Sequence, residues 1–244
     1  FRSSDSSEEY LSKLDPATIV RCLKEADATS ILVKAKSHVG LHYFKSQYGK
    51  MHETLRKRNL DYVGEMIKLA HENGFNVILY FSQIYDNYAY ETHKAWRIVY
   101  PLGIGSRFSL GKRKPRYGLV CPNNPNYRQY CKDILAELVT NYRFEGVFLD
   151  MPFWPRPCYC RHCRKKYRKE TGKSLPVIYN VHRKSWQEFI RARQRWIDEF
   201  IEHNTLAIKA INPKISVEHN MAAIGLNWVP GNTEKNFEPS DYAG

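Results

Sequence analysis

Short apolar runs alternate with amphipathic segments along most of the chain, which predicts an alternation of β-strands and α-helices. The runs have the length and composition of buried strands, and no two of them are joined by a hairpin turn. Consecutive strands that are separated by helices are typical of a parallel sheet. The predicted strands cover residues 30–35, 76–82, 145–150 and 214–220.

The segments between the predicted strands carry apolar residues at helical spacing and polar residues suited to helix ends. Asp15 can cap a helix whose first residue is Pro16. Asn73 and Gly74 stop the next helix, and Pro213 ends the longest one. The predicted helices cover residues 15–27, 59–74, 125–142 and 185–211.

The number of strands bears on the architecture. If the strand-like pair Phe1 and Arg2 ends a first strand, the chain has about five βα units, and an eight-stranded barrel needs three more. We therefore expect an α/β fold, a (β/α)8 TIM barrel truncated after about five βα units, with residues 1–244 forming one domain that is incomplete at its C-terminus. A doubly wound open sheet is the alternative, but its glycine-rich G-x-G-x-x-G turn does not occur in the sequence.

The charge balance is strongly basic, with 38 Lys and Arg against 25 Asp and Glu, a net charge of +13. Such an excess is compatible with nucleic acid, an anionic membrane face or an acidic polysaccharide. The basic residues concentrate in 111–116 and 161–169, which we place in or beside loops rather than along one groove-facing helix. A solvated basic face is therefore expected, with an acidic substrate left open and nucleic acid not expected as a partner.

The sequence carries no sign of membrane insertion. No apolar run reaches the roughly 18 residues that a membrane span needs, and residues 1–10 lack the basic and apolar regions of a signal peptide. The cysteines favour reduced thiols, so a soluble, cytoplasmic protein is expected, although a leader could have been lost. Association into a homo-oligomer stays open.

Function in a barrel lies on the loops that follow the carboxyl ends of the strands. Residues 83–122 form one such loop of unusual length, and its many aromatic residues favour an ordered binding loop. Carboxylates, aromatic rings, His and Asn at strand ends are the groups of a carbohydrate site. The strand-end candidates are Lys36, His38, Ser82, Tyr85, Asp86, Asp150, Phe153, Trp154, Glu218, His219 and Asn220.

Asp150 is the leading catalytic candidate. An aspartate at a strand end often caps the next helix, but Pro152, Pro155 and Pro157 prevent a helix from starting here. Glu218 is the second catalytic candidate, with pairing to a Lys or Arg as the alternative.

Four other strand-end residues are predicted to bind substrate. His38, Tyr85 and Asn220 can bind hydroxyl groups, and Trp154 can stack on a sugar face. A buried structural histidine is the alternative for His38.

Cys158, Cys160 and Cys163 form a C-x-C-x-x-C cluster whose spacing suits a metal better than separate disulfides. Structural zinc is tetrahedral, so a fourth ligand is needed. Cys121, at the end of the long loop, is the candidate, and His162 is the alternative. Such a zinc would join two loops and perform no chemistry, because four protein ligands leave no position for water. Free thiols that bind no metal are the competing interpretation.

Residues 15–87, which include AKSHVGLHYFKSQY and NVILYFS, resemble the N-terminal half of the family 29 α-L-fucosidase barrel. That family has a lysine, two histidines, an acidic residue and a glycine after the second strand. Lys36, His38 and Gly40 match this motif, while Ser37 and Val39 depart from it. The resemblance implies that Asp150, which ends the fourth strand, is the nucleophile.

The later segment, from CPNNPNYRQY through GVFLDMPFW to the cysteine cluster, is similar to hypothetical glycosyl hydrolases related to the fucosidases and to family 42 β-galactosidases. The latter bind zinc through an upstream cysteine and a C-x-C-x-x-C sequence, which implies a zinc site at Cys121, Cys158, Cys160 and Cys163. Family 42 has a glutamate where this chain has Asp150. The resemblances together cover about residues 15–176.

These observations predict a retaining glycoside hydrolase of α-L-fucosidase type that acts on an oligosaccharide or glycoside. Asp150 is predicted to be the nucleophile and Glu218 the acid/base. Structural zinc is expected, and no catalytic cofactor is expected. A β-galactosidase-like hydrolase is one alternative. A non-catalytic barrel that binds carbohydrate or polyanion through its basic loops is another. A deacetylase-like metal hydrolase is disfavoured, because no ligand pattern with an open position occurs.

Overall fold

The computed structural model describes residues 11–108, 115–152, 155–220 and 238–241. Strands and helices alternate as the apolar pattern predicts, and two short 3₁₀ turns, Lys94–Trp96 and Pro101–Gly103, lie in the long loop. The elements in chain order are α1 Pro16–Glu25, β1 Ser30–Lys36, β2 Leu41–His42, β3 Lys50–Met51, α2 Glu53–Lys57, α3 Tyr62–Glu72, β4 Asn76–Ser82, α4 Asn87–Thr92, α5 Pro125–Asn141, β5 Gly146–Asp150, α6 Arg161–Thr171, α7 Lys184–Lys209 and β6 Ser216–His219.

The helices begin where polar side chains satisfy free backbone N–H groups. The Asp15 carboxylate accepts from Thr18 N at 3.0 Å and starts α1. The Asn124 side chain accepts from Asn126 N at 3.0 Å and Tyr127 N at 3.3 Å, and Pro125 is the first residue of α5. These local signals explain why the predicted boundaries lie within a few residues of the observed ones.

The strands form an open sheet in the order β3-β2-β1-β4-β5-β6, in which β1, β4, β5 and β6 are parallel. The parallel sheet with crossover helices is the mixed α/β architecture expected of a barrel domain, and within the described residues the sheet is not closed. The proposed first strand at Phe1 and Arg2 lies outside the described residues.

Burial alternates along the strands and distinguishes the two faces of the sheet. Residues such as Val33 and Leu79 are fully buried on the face that the helices cover, whereas Leu32 on the other face is 57% exposed. Tyr80 and Phe148 lie on this second face and are partly exposed. The second face is therefore the inner side of the sheet, which the helices do not cover.

Two sequence-based expectations were wrong. β2 pairs antiparallel with β1 at Lys36 and His42, because the turn at Gly40, with φ +76°, reverses the chain; the sheet is therefore not free of hairpin connections. The basic segment 161–169 is not a loop but lies in α6. Only Cys163 and Tyr167 of α6 are buried, too few apolar positions to reveal the helix.

Of the basic segment 111–116, only residues 115–116 are described, and they lie in no regular element. Within the described ranges, no helix combines the length and the apolar character that crossing a bilayer requires.

Candidate active site and cysteine cluster

Asp150 ends β5 with its carboxylate almost buried, at 5% exposure for the residue. Its Oδ1 accepts from Asn220 Nδ2 at 2.5 Å and from Met151 N at 2.9 Å, and its Oδ2 accepts from the Tyr80 hydroxyl. His38 Nε2 lies 3.5 Å from the same Oδ2. Both oxygens are thus held by donors, which fix the orientation of the carboxylate.

The backbone beside this carboxylate is in an uncommon conformation. Met151 has φ +59°, a left-handed value that a non-glycine side chain rarely adopts. The N–H of the same residue donates to the side chain of the preceding aspartate. Strained backbone of this kind is concentrated at functional sites, because the surrounding structure must hold it in place.

The orientation of His38 follows from its neighbours. Its Nδ1 lies 2.7 Å from Ser82 Oγ, and the Ser82 hydroxyl donates to the Tyr85 carbonyl at 3.0 Å. Because a hydroxyl has one proton, His38 Nδ1 must be the donor to Ser82. The other nitrogen, Nε2, faces the Tyr80 hydroxyl at 3.2 Å and the Asp150 carboxylate. Ser82 therefore aims the imidazole at the catalytic candidate.

The parallel register brings these side chains together. Ser82 lies opposite Asp150, and Tyr80 lies opposite Phe148, so Tyr80, Ser82 and Asp150 share the inner face of the sheet. Asn220 directly follows β6, and its N–H donates to the Leu149 carbonyl, which places it beside Asp150. Ligand sites at the carboxyl ends of parallel strands arise in this way.

A buried ion pair lies next to this group. Lys36 and Asp86 are both fully buried, and Lys36 Nζ lies 2.8 Å from Asp86 Oδ2. Lys36 Nζ also donates to the Ser82 carbonyl at 2.7 Å, while Asp86 Oδ1 accepts from Ala89 N at 2.8 Å and so caps α4. A Cβ added at Gly40 would lie 2.0 Å from Asp86 Oδ1, so the turn that follows His38 packs directly on this pair. The pair therefore connects β1, β4 and α4 below the site.

Aromatic rings form a wall beside His38. The His38 ring lies 5.3 Å from the Tyr117 ring and 6.0 Å from the Tyr85 ring, centroid to centroid, and Tyr85 lies 5.8 Å from Tyr117. Burial, with smaller effects of Tyr100 and Asp150, raises the pKa of Tyr85 to about 12. Tyr85 is therefore a neutral hydrogen-bonding phenol near neutral pH.

The other predicted residues of β6 are placed differently from Asn220. Glu218 is buried and lies opposite Phe148, on the same face as Asp150 but one layer nearer the amino ends of the strands. Its role as acid/base stays a prediction. His219 faces the helices, where its Nε2 lies 2.8 Å from Thr205 Oγ1, and burial lowers its pKa to about 3. Trp154 lies outside the described residues.

Sequence reasoning missed two residues of the site, Tyr80 and Tyr117. Tyr80 lies within β4, two residues before Ser82, so the period-two alternation of a strand could have placed it on the same face as Ser82. Tyr117 belongs to the long loop, and no local pattern indicates its contact with His38.

The predicted metal-ligand cysteines meet in one buried cluster. The sulfur atoms of Cys121, Cys158, Cys160 and Cys163 all lie within 4.8 Å of one another. Cys121 Sγ is 3.4 Å from Cys163 Sγ and 3.6 Å from Cys160 Sγ. Cys121, and not His162, is therefore the fourth member of the cluster. The four residues come from the end of the long loop, the loop after β5 and the first turn of α6.

Hydrogen bonds and burial both act on the sulfur atoms of the cluster. Val99 N donates to Cys158 Sγ at 3.4 Å, and Asn123 Nδ2 donates to Cys163 Sγ at 3.4 Å. Hydrogen bonds from the thiols of Cys121, Cys158 and Cys163 lower the pKa of Cys160, whereas burial raises the pKa of Cys121 and of Cys163. Hydrogen bonding within the cluster and burial thus act in opposite directions on the pKa values of its thiols.

A buried arginine adds to this electrostatic setting. Arg193 of α7 is 1% exposed, and burial lowers its pKa to about 10, while its interactions with Cys163 and Cys158 favour the charged form. A buried guanidinium needs compensating negative charge, which cysteine sulfur can supply when it is deprotonated. The cluster and Arg193 are therefore electrostatically complementary.

The comparisons with solved structures give the same fold. The chain is similar to α-L-fucosidase isoenzyme 2 from Paenibacillus thiaminolyticus, with a TM-score of 0.72, 27% identity, and coverage of 90% of this chain and 31% of the fucosidase. It is similar to the PgaB (BpsB) glycoside hydrolase domain from Bordetella bronchiseptica, with a TM-score of 0.72, 13% identity, and coverage of 94% and 67%.

A third similar structure is the polyextremophilic β-galactosidase from Halorubrum lacusprofundi, with a TM-score of 0.65, 13% identity, and coverage of 93% of this chain and 37% of the enzyme. The two likenesses at 13% identity show the fold alone. The chain spans about a third of the length of the fucosidase and of the β-galactosidase. No curated protein sequence matches the chain significantly.

The sequence comparison identifies the family. Residues 15–151, more than half of the chain, match the profile of the family described as Hypothetical glycosyl hydrolase 6. This match covers β1, β4 and β5 and ends one residue after Asp150, and the structural neighbours are glycoside hydrolase domains. The chain therefore belongs to the Hypothetical glycosyl hydrolase 6 family.

Proposed function

We propose that the Asp150 site is the active site of a retaining glycoside hydrolase of α-L-fucosidase-like type, in which Asp150 is the nucleophile. The observation that carries this proposal is the Asp150 carboxylate itself, which ends a parallel strand and is held by Asn220, Met151 N and Tyr80. Donors on both oxygens hold the carboxylate in one orientation, as attack on an anomeric carbon requires.

The reaction needs a second group that protonates the leaving oxygen and then activates water. Glu218 is the candidate on β6, buried on the same face as Asp150. In retaining enzymes the two carboxyl groups are about 5–5.5 Å apart. Because Glu218 lies one layer below Asp150, this role requires its side chain to reach toward the carboxyl ends of the strands.

The other residues of the site would position the sugar. His38 and Asn220 can bind hydroxyl groups, and Tyr85 offers a neutral phenol and a ring face. The similarity to the Paenibacillus fucosidase supports an α-L-fucoside-like substrate, and the similarity to the Halorubrum enzyme makes a β-galactoside the alternative to be compared with it.

Covalent trapping of the full-length protein tests the nucleophile. A 2-deoxy-2-fluoro glycosyl fluoride should label wild type on the peptide that contains Asp150, as detected by mass spectrometry, because the fluorine slows hydrolysis of the glycosyl-enzyme. Asp150→Asn should take up no label and should lose at least about 10³-fold in kcat on nitrophenyl glycosides. Asn126→Asp, on the exposed start of α5, is a control that should keep both properties.

Two results would contradict the assignment. Labelling of a peptide without Asp150 would move the nucleophile elsewhere, and wild-type turnover by Asp150→Asn would remove it from the reaction. Sugar binding without any turnover by wild type would favour the non-catalytic barrel instead.

We also propose that the four-cysteine cluster binds zinc as a structural metal. In a tetrahedral site with Zn–S bonds of about 2.3 Å, the sulfur atoms are about 3.8 Å apart. Two pairs in the cluster are 3.4 and 3.6 Å apart, and all four sulfur atoms lie within 4.8 Å of one another. Four thiolates around a divalent cation carry two net negative charges, and the Arg193 guanidinium offsets part of this charge. The metal would hold the long loop against α6, with no position left for substrate.

Metal analysis of the purified full-length protein tests this assignment. We expect one zinc per chain, and replacement by cobalt should give the intense charge-transfer absorption of a tetrahedral thiolate site. A stoichiometry near zero in protein purified without chelator, with four titratable free thiols, would contradict it.

A further inference from the structure

Two arginines flank the aromatic wall beside the Asp150 site. The Arg116 guanidinium lies 4.9 Å from the centroid of the Tyr117 ring, and Tyr117 contacts His38. The Arg156 guanidinium lies 5.6 Å from the centroid of the Tyr100 ring. One guanidinium therefore lies over a ring of the wall, and the other lies over the ring of Tyr100.

Tyr100 connects the second arginine to the site. Tyr100 is half-buried and lies two residues after Ile98, whose N–H donates to the Leu119 carbonyl at 2.9 Å, and Leu119 forms a β-bridge with Tyr85. Arg156 comes from the loop that follows β5, six residues after Asp150. Asp150, the proposed nucleophile, thus lies at the start of the loop that carries Arg156.

Both arginines are exposed, and neither forms an ion pair with an acidic residue in the described part of the chain. Arg107, in the same long loop as Arg116, behaves differently, because its guanidinium is 2.5 Å from the Glu91 carboxylate. An arginine stacked on a ring keeps its N–H edge free for a ligand, and stacking limits the orientations of the guanidinium plane. Arg116 and Arg156 are therefore prepared to bind an anion.

We propose that the Asp150 site takes a glycan that carries a negative charge, a carboxylate or a sulfate ester, and that Arg116 and Arg156 recognise this group. The inference rests on the proposed glycoside-hydrolase function and names its substrate class. A negatively charged sugar beside the Asp150 carboxylate would be repelled, and two guanidinium groups along the wall offset that repulsion. Carboxylate and sulfate both accept paired N–H bonds from a guanidinium, which makes such recognition specific.

The general charge of the chain is a competing source of anion binding. α6 exposes Arg164 and Arg168, and the net charge of the chain is +13. A site-specific effect must therefore be separated from attraction to the basic surface, which any added salt weakens.

Binding of thio-linked disaccharides, which the enzyme cannot hydrolyse, tests the proposal on the full-length protein by calorimetry. The probes are a neutral galactose disaccharide, a galacturonate disaccharide and a sulfated galactose disaccharide, at 150 mM NaCl. We expect at least one charged probe to bind ten-fold or more tightly than the neutral one, and the two charged arms distinguish carboxylate from sulfate.

Variants test whether Arg116 and Arg156 cause the preference for charged probes. Arg116→Ala/Arg156→Ala should reduce the preference to less than two-fold while the affinity for the neutral probe stays within two-fold. Arg164→Ala/Arg168→Ala removes two charges from α6 and should keep the preference, as should Arg107→Ala. Circular dichroism checks that each variant is folded.

Equal affinities of wild type for all three probes, including equally undetectable binding, would overturn the proposal. An equal loss in the Arg164→Ala/Arg168→Ala variant would overturn it as well, because the basic surface would then be responsible. The binding measurement involves no turnover, so it is independent of activity. An inactive protein that still prefers the charged probe would contradict the proposed hydrolase function but would support the anion site.

Discussion

The Asp150 site lies at the carboxyl end of β5 and most of the four-cysteine cluster comes from the segment after it, yet the two regions are assembled in different ways. Asp150 is held by side chains from β4 and from the residue after β6, which reach it through the register of the parallel sheet. The cluster draws three of its four sulfurs from residues 158–163 and only Cys121 from a distant segment. One region depends on the sheet, and the other depends mainly on local spacing.

The difference teaches what each region can do. Asp150 and two of its donors, Met151 N and Asn220, lie at or just after the carboxyl ends of strands, beside partly exposed rings, so a ligand can approach. The four sulfurs are buried and face one another, so a metal would fill the space between them. We therefore expect changes at Asp150 and its donors to alter activity more than stability, and changes at the cluster to do the reverse.

The largest effect should come from the cluster. Cys163→Ser should lower the metal content and reduce the free energy of unfolding by about 5 kcal/mol or more, because structural zinc contributes about 10–16 kcal/mol in small domains. Thermal unfolding and metal analysis measure both changes. Cys131→Ser, a buried cysteine of α5 outside the cluster, is the matched control and should keep the metal. Equal metal content in the two variants would break the comparison.

The buried ion pair below the Asp150 site should give the next largest effect. Lys36→Met leaves the Asp86 carboxylate buried without its cation, which should cost about 3–5 kcal/mol of unfolding free energy. Lys36→Met/Asp86→Asn should recover part of this loss, because Asn can still cap α4. Chemical denaturation measures the series. A double variant no more stable than Lys36→Met would show that the pair is not the cause.

Tyr80→Phe should affect activity more than stability. The change removes one hydrogen bond to the Asp150 carboxylate, and such a bond to a charged group is worth about 1.5–3 kcal/mol, which corresponds to roughly 10- to 100-fold in kcat/KM. Steady-state kinetics on a nitrophenyl glycoside that wild type hydrolyses measure it. Tyr48→Phe, at an exposed tyrosine, should leave kcat/KM unchanged. Unchanged kinetics for Tyr80→Phe would mean that the hydroxyl does not support the reacting carboxylate.

The smallest effect should appear only in acid. Burial, with a smaller effect of Lys36, lowers the pKa of His42 from 6.5 to about 3, and neither ring nitrogen has a hydrogen-bond partner among the described residues. Between pH 6.5 and about pH 3, His42 is therefore protonated in the unfolded chain but neutral in the folded chain. The contribution of His42 to the free energy of unfolding is full above pH 6.5 and is about 2 kcal/mol smaller at pH 5.

His42→Leu should remove that part of the acid sensitivity, because leucine has no proton to bind. Denaturant unfolding of wild type and variant at pH 7.5 and pH 5 gives the difference. A loss of stability between the two pH values that is the same for both proteins would show that His42 does not cause it, and attention would move to His219, whose pKa burial also lowers to about 3.

Most of the secondary structure could be predicted because its signals are local. Asp15 with Pro16 and Asn124 with Pro125 mark helix starts, and the apolar runs mark the strands. α6 was missed because a helix with only two buried residues has almost no apolar period. β2 was missed because two residues are too short to form a pattern.

The candidate site could be predicted only in part. Asp150 and His38 could be predicted because they lie at or after the ends of apolar strands. Tyr80 lies inside a strand, where the alternation of apolar and polar residues does not distinguish a site tyrosine from a structural one. The Lys36 and Asp86 pair joins residues 50 positions apart, and no sequence spacing indicates which buried lysine meets which aspartate.

The sequence by itself determined the parallel α/β architecture, the position of Asp150 at a strand end and the metal-like spacing of Cys158, Cys160 and Cys163, because each depends on residues that are close along the chain. Only the tertiary structure decided that Tyr80 and Asn220 hold Asp150 and that Cys121 completes the cluster. Those contacts depend on strand register and loop packing, which the whole fold sets by burying one face of the sheet beneath its helices.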